Sequence, residues 1–148
     1  MAGPLYRLVY CSRNGGTSSE NLAREVEAIL EPARRRNEGA GLTGALLASA
    51  SGFAQVLEGP REAIDQAFQR ISADPRHADV SVLTFAPAPR RLFPDAPLAF
   101  CGDFRAGALD PLAGILADTT RGDDRAMTGG DLLRLLVRLV RADRDWAA

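Results

Sequence analysis

Lysine is absent from the 148 residues: all 18 basic side chains are arginine, a bias we read as GC-rich codon usage rather than chemistry. An excess of charge is absent too. The formal net charge is −1, and no face is basic enough to imply nucleic acid. Cysteine is scarce, with only Cys11 and Cys101 far apart and no CxxC pair, so there is no disulfide framework and a reducing cytoplasm is the simpler setting. Histidine is reduced to His77, which reads as a surface or loop residue, and without a Cys/His cluster there is no ligand set for a structural zinc site. The first ten residues lack the basic region and apolar stretch of a secretory signal. Long apolar runs are missing as well. Segment 39–57 carries no charge and nearly reaches bilayer length, but it is interrupted by glycines and serines and carries Gln55. It reads as two short buried strands and a turn rather than a membrane helix. None of the signatures GxSxG, GxxxxGK[ST] or GxGxxG after a strand occurs.

What is present alternates between two periodicities. Residues 5–12 (LYRLVYCS) combine aromatic and β-branched side chains and predict a strand with Tyr6, Leu8 and Tyr10 on one face. Thr17-Ser-Ser-Glu20 has the spacing of a capping box, and Leu22, Val26, Ile29, Leu30 and Ala33 follow at helical intervals. Arg34, Arg35 and Arg36 suit the last turn of that helix, Pro32 predicts a kink or irregularity, and Asn37 and Gly39 should end it. Residues 42–50 and 52–58 predict a hairpin that breaks at Ser49-Ala-Ser-Gly52. Glu58-Gly-Pro60-Arg-Glu62 should open a second helix with Ile64, Ala67, Phe68 and Ile71 as its buried stripe, ended by Asp74-Pro75. Residues 80–86 predict a fourth strand, 87–97 a proline-rich turning segment, and 98–101 a short fifth strand.

The order βαββαββ predicts an α+β fold, a ferredoxin-like sheet with both helices on one face. First and third strands are then central neighbours, with Tyr10 and Gln55 on adjacent strands. A C-terminal helical pair follows: a short helix from Asp110-Pro111, then an amphipathic helix with Leu132, Leu133, Leu136, Leu139 and Val140. This pair is expected to pack on the other face of the sheet or on a partner chain. The chain thus divides into a domain at 1–104 and a helical extension at 105–148, with homo-oligomer formation through the extension.

Five segments carry a more specific signal. They are Leu5-Tyr-Arg-Leu-Val-Tyr10-Cys-Ser-Arg13, Asn37-Glu-Gly-Ala-Gly-Leu-Thr-Gly44, Phe53-Ala-Gln-Val-Leu-Glu-Gly-Pro60, Ile71-Ser-Ala-Asp-Pro-Arg-His-Ala-Asp-Val80 and Arg90-Arg-Leu-Phe-Pro-Asp95. In this order and spacing they resemble the BLUF family of blue-light sensors across roughly residues 5 to 100. The resemblance implies a flavin between the two helices with its edge towards the sheet; FAD is the family expectation, with FMN or riboflavin as alternatives. By position, Tyr10 matches the light-reactive tyrosine and Gln55 the glutamine linking it to flavin N5. Asn37 matches the asparagine at the pyrimidine edge, while Arg70, with Arg36 beside it in the cofactor set, falls near the ribityl and phosphate end.

The residue types suit that chemistry. A phenol gives up an electron and a proton, and a carboxamide has an acceptor at one end and donors at the other, so rotating or tautomerising it changes which end meets the flavin. A charged side chain in the same buried place would pay a large desolvation cost. No bond to protein forms in such a cycle, so neither cysteine needs to react. The sequence departs from the family pattern at four places: Ala33 stands for a serine, Arg36 for an asparagine, and Ala96 and Leu98 for the tryptophan and methionine of the fifth strand. The expected function is a cytoplasmic photoreceptor, not an enzyme, that binds flavin and signals to an unidentified downstream protein by protein–protein contact, without nucleic acid or membrane. The alternatives are a flavin-binding BLUF-like protein with an impaired photoswitch, or a small acylphosphatase-like phosphate enzyme in which Asn14-Gly-Gly-Thr17 is a faint phosphate loop.

Overall fold

A computed structural model describes residues 4–14, 19–49, 52–102, 130, 132–138 and 140. Among the described residues from 4 to 102, five strands and two helices succeed one another as β1 (Leu5–Asn14), α1 (Ser19–Ala40), β2 (Thr43–Ala48), β3 (Gly52–Pro60), α2 (Arg61–Ala73), β4 (His77–Pro87) and β5 (Ala99–Gly102). The sheet order is β4-β1-β3-β2-β5. The first four strands pair antiparallel, and β5 adds to β2 in parallel. This is the expected split βαβ, ferredoxin-like arrangement with one extra edge strand.

The period of two along the central strands decides what each face buries. Leu8, Tyr10 and Leu57 point towards Ile64 and Ala67 of α2, while Leu46, Ala48 and Phe53 meet Val26 and Leu30 of α1. The alternate residues Val9, Cys11, Ala54 and Val56 point the other way and pack with Leu132, Leu136 and Val140. Residues 132–138 are helical, so this stripe, spaced four residues apart, seats the C-terminal helix on the opposite face of the same chain's sheet. The capping box at Thr17, the turn at residues 50 and 51, Leu139, the helix expected at residues 110–116 and the boundary at 104/105 lie outside the described residues.

Several boundaries differ from the sequence expectation, each for a local reason. α1 does not stop at Asn37 and Gly39 but continues to Ala40. Its terminator is Gly41, at φ +75°: the Leu42 N–H bonds the Asn37 carbonyl at 2.8 Å and the Gly41 N–H the Glu38 carbonyl at 3.4 Å. That is a Schellman end, in which the left-handed residue is normally glycine. Arg34 to Arg36 consequently lie more than a turn from the end, and no basic residue occupies the last turn. Pro32 sits inside the helix, where the sequence placed it. α2 begins at Arg61, so β3 runs past the expected Glu58 to include Gly59, and Pro60 is the cap residue rather than the first helical one. β5 begins at Ala99, so Ala96 and Leu98 precede the fifth strand instead of lying on it. Gly44 on β2 is required by close approach: a Cβ there would lie 1.9 Å from the Val56 carbonyl oxygen of β3.

Candidate functional site

Tyr10 and Gln55 face one another across the β1–β3 ladder as direct register partners. Both point to the helical face, and the Tyr10 hydroxyl donates a hydrogen bond to Gln55 Oε1. Tyr10 is 0% and Gln55 6% exposed. The phenol packs edge-on against Phe68 of α2, with ring centroids 5.9 Å apart, and at 6.1 Å from the His77 ring. Burial pushes its pKa well above the ordinary phenol value, with the nearby Asp74 carboxylate adding to the rise, so the resting group is the neutral phenol.

Gln55 forms part of the wall of a cleft between α1 and α2, whereas Tyr10 reaches that cleft only through Gln55. The cleft has a cavity volume of about 180 Å³, below the ~300–1,000 Å³ typical of small-molecule and cofactor sites. With Oε1 engaged by Tyr10, the Gln55 amide donors have no partner among the described residues. Asn37 is the second buried carboxamide on the cleft wall. It stands three residues before the last of α1, its backbone fixed by the Schellman bond, and its Nδ2 donates to the Pro97 carbonyl at 2.8 Å. Its Oδ1 has no partner among the described residues. Buried amide groups normally find partners, so two half-satisfied carboxamides on one cleft call for a ligand bearing both donors and acceptors.

The rest of the wall separates into an apolar side and a charged rim. Ala33, Leu46, Leu57 and Leu98 are apolar lining residues, and Leu98 is fully buried. Arg36 and Arg70 line the cleft and are exposed, Arg36 bonding the Pro32 carbonyl at 3.3 Å within its own helix. Arg34 bonds the Leu98 carbonyl at 2.9 Å. Every residue expected at the site is therefore brought to one place, with Tyr10 standing behind the wall rather than in it.

Three titratable wall residues were not expected at the site: Asp74, Arg76 and His77. The Asp74 carboxylate accepts from the Arg76 backbone N–H at 3.0 Å and from its guanidinium at 2.6–3.0 Å, and these bonds hold the carboxyl below its usual pKa. The two-residue spacing of Asp74-Pro75-Arg76 was the available signal for that clasp. His77 corrects the surface reading: it is 9% exposed, its Nδ1 lies 2.8 Å from the buried Ser12 hydroxyl, and its ring is 4.6 Å from that of Phe53. Desolvation depresses its pKa to about 4, so the imidazole is neutral at pH 7. Its placement depends on a register shift between β1 and β4 after Cys11, where Asp79 takes a left-handed φ of 49°. A bulge there moves the side-chain alternation by one and turns His77 towards the helices.

This geometry, a buried Tyr–Gln pair at the foot of a cleft between two helices on a ferredoxin-like sheet, defines a small-molecule-binding α+β module. Comparison with known proteins makes it specific: residues 5–99 match the model of the BLUF family, described as sensors of blue light using FAD, and the chain belongs to that family. The beta subunit of a photoactivated adenylate cyclase from Euglena gracilis is 41% identical over 70 residues, 47% of this chain and 8% of that protein. The dark-state structure of BlrB, a BLUF protein, superposes with a TM-score of 0.71 at 30% identity, covering 97% of this chain and 99% of that one. Klebsiella pneumoniae BlrP1, solved with FMN and cyclic diGMP, gives a TM-score of 0.62 at 30% identity over 93% of this chain and 34% of BlrP1. The chain thus spans only a small part of the cyclase and about a third of BlrP1, whereas it spans nearly all of BlrB. Among the described residues no helix is long and apolar enough to cross a membrane.

Proposed function

We propose that this chain is a cytoplasmic blue-light photoreceptor that holds FAD between α1 and α2 and switches through Tyr10 and Gln55. The observation that carries the reading is the buried Tyr10–Gln55 hydrogen bond at the foot of a cleft lined by two buried carboxamides, each with one end unpaired among the described residues. Those groups fit a flavin: Gln55 would offer its amide donors and Asn37 its Oδ1 acceptor to hold the ring. Arg70 and Arg36 supply positive charge at the rim for a phosphate-bearing tail, which favours FAD or FMN over riboflavin. FAD is preferred from the family's description, and FMN, as bound in BlrP1, is the competing cofactor.

When bound, the flavin supplies the blue-light absorption and, once excited, a site that takes up one electron and one proton. Tyr10 is the donor of both. It is neutral and buried, so it can leave its reduced state only by releasing proton and electron together, and its hydroxyl hydrogen already points at Gln55. Gln55 relays that proton and, when electron and proton return to Tyr10, remains in a rotated or tautomeric arrangement with its donor and acceptor ends exchanged. No atom is gained or lost over the cycle. The altered hydrogen-bond pattern is the signal, and a separate protein reads it by contact, a step that requires no substrate turnover by this chain. The half-exposed Leu133, Leu135 and Val137 beside the seated stripe of the C-terminal helix are the contact surface we favour.

The test is the absorption spectrum of purified, flavin-loaded protein before and after blue light. A small red shift that relaxes in the dark, and is absent in Gln55→Leu at equal flavin occupancy, supports the proposal. A flavin band that never shifts in the unaltered protein would leave a flavin-binding fold without a switch.

A further inference from the structure

Segment 90–98 passes from one face of the sheet to the other and is fixed at both ends. Glu58 anchors the end remote from the cleft. It lies between the cleft-facing positions of β3 and is 0% exposed. Its carboxylate accepts from Arg7 Nε at 3.0 Å and Nη2 at 2.8 Å, and from the backbone N–H groups of Leu92 and Phe93 at 2.9–3.0 Å. The same Arg7 guanidinium donates to the Arg90 carbonyl at 2.7 Å. Arg91 donates to Thr43 Oγ1 at 2.8 Å, the Glu58 carbonyl at 3.0 Å and the Gly41 carbonyl at 2.9 Å. At the cleft end, the carbonyls of Pro97 and Leu98 accept from Asn37 and Arg34, and that of Ala96 accepts from the Gly44 N–H at 3.1 Å. Between these anchors Phe93 is buried against Leu132, Leu136 and Val140 of the C-terminal helix.

A buried carboxylate is tolerated only when its oxygens are matched by donors, so Glu58 fixes where the amides of Leu92 and Phe93 lie. A backbone stretch so held cannot absorb a displacement at one end without moving at the other. We infer that Glu58 and Arg91 are positioning residues that keep segment 90–98 a stiff strap, carrying a change at Asn37 across the sheet edge to the C-terminal helix. The strap is a contiguous chain of hydrogen bonds and packed side chains from the cleft carboxamide to the helix. The inference rests on the photoreceptor reading, because light is what displaces the cleft end.

Amide hydrogen exchange of the full flavin-loaded chain, in the dark and under blue light, tests it, with the absorption shift recorded on the same samples. Three proteins are compared: wild type, Glu58→Gln, and Arg91→Met. The half-exposed Arg91→Met decides the matter if Glu58→Gln does not fold. Wild type should show the red shift together with a light-induced change in exchange over 90–98 and 132–138. The variants should keep the red shift and lose the change over 132–138. Variants that retain a wild-type change there, or a wild type whose band shifts with no change there, overturn the strap. A wild type with no red shift overturns the photoreceptor reading, and the strap's role with it.

Discussion

Tyr10, Gln55 and His77 show how burial sets the working state of a residue. The wet pKa of a phenol or an imidazole is irrelevant inside this sheet, where each is held neutral by the absence of water. For His77 the consequence is measurable. Its folded pKa of about 4 lies below the unfolded value of 6.5, so between those values the unfolded chain binds more protons than the folded one. Stability is therefore complete above about pH 6.5 and falls as the pH is lowered towards 4, by a total on the order of 3 kcal/mol. Urea unfolding at pH 7, 5.5 and 4.5 should show this slope, and His77→Gln should flatten it. An unchanged slope in the variant would mean that His77 is not buried neutral. Asp74 acts in the same sense and lower down. Its carboxyl is depressed below 3.8, so its contribution is present above that value and is lost only as the pH falls through its folded pKa.

At the scale of elements, the helix end matters most, because α1 carries Asn37 to the cleft through its Schellman turn. Gly41→Ala forces a side chain into the left-handed region, which costs roughly 1–2 kcal/mol, and it should weaken flavin binding as well, by loosening the Asn37 backbone bond. Equilibrium dialysis against free flavin, with denaturation alongside, checks both effects. Leu136→Ala removes a fully buried side chain on the far face and should destabilise by about 2–5 kcal/mol while the cleft still takes up flavin. Loss of flavin binding at native conditions in that variant would contradict the separation of the two faces.

The elements were legible where period and composition spoke together. The alternation of Tyr6, Leu8 and Tyr10 and the helical stripe of Ile64, Ala67, Phe68 and Ile71 predicted the observed faces, and the strand order placed Tyr10 beside Gln55. What stayed hidden depended on distant partners. Glu58 read as a helix-opening acid because the residues that let it be buried, Arg7 and the amides of Leu92 and Phe93, lie far along the chain. His77 read as a surface residue because the left-handed Asp79 that turns it inward leaves no mark in the pattern of apolar positions. Of two nearby glycines, Gly41 takes the left-handed φ and ends α1, whereas sequence alone favoured Gly39.

For the whole molecule, the sheet is a partition. One face carries the cleft and its Tyr–Gln pair, and the other is covered by the C-terminal helix of the same chain. On the proposed function, light chemistry and signal output would lie on opposite sides, and the switch would depend on a single proton and electron donor at the foot of the cleft. The light-minus-dark absorption difference of Tyr10→Phe, beside wild type at equal flavin occupancy, tests that dependence most directly. Phe keeps the ring packing against Phe68 and removes only the hydroxyl that bonds Gln55. The account predicts a reversible red shift in wild type and none in the variant. A shift of wild-type size in Tyr10→Phe would contradict it.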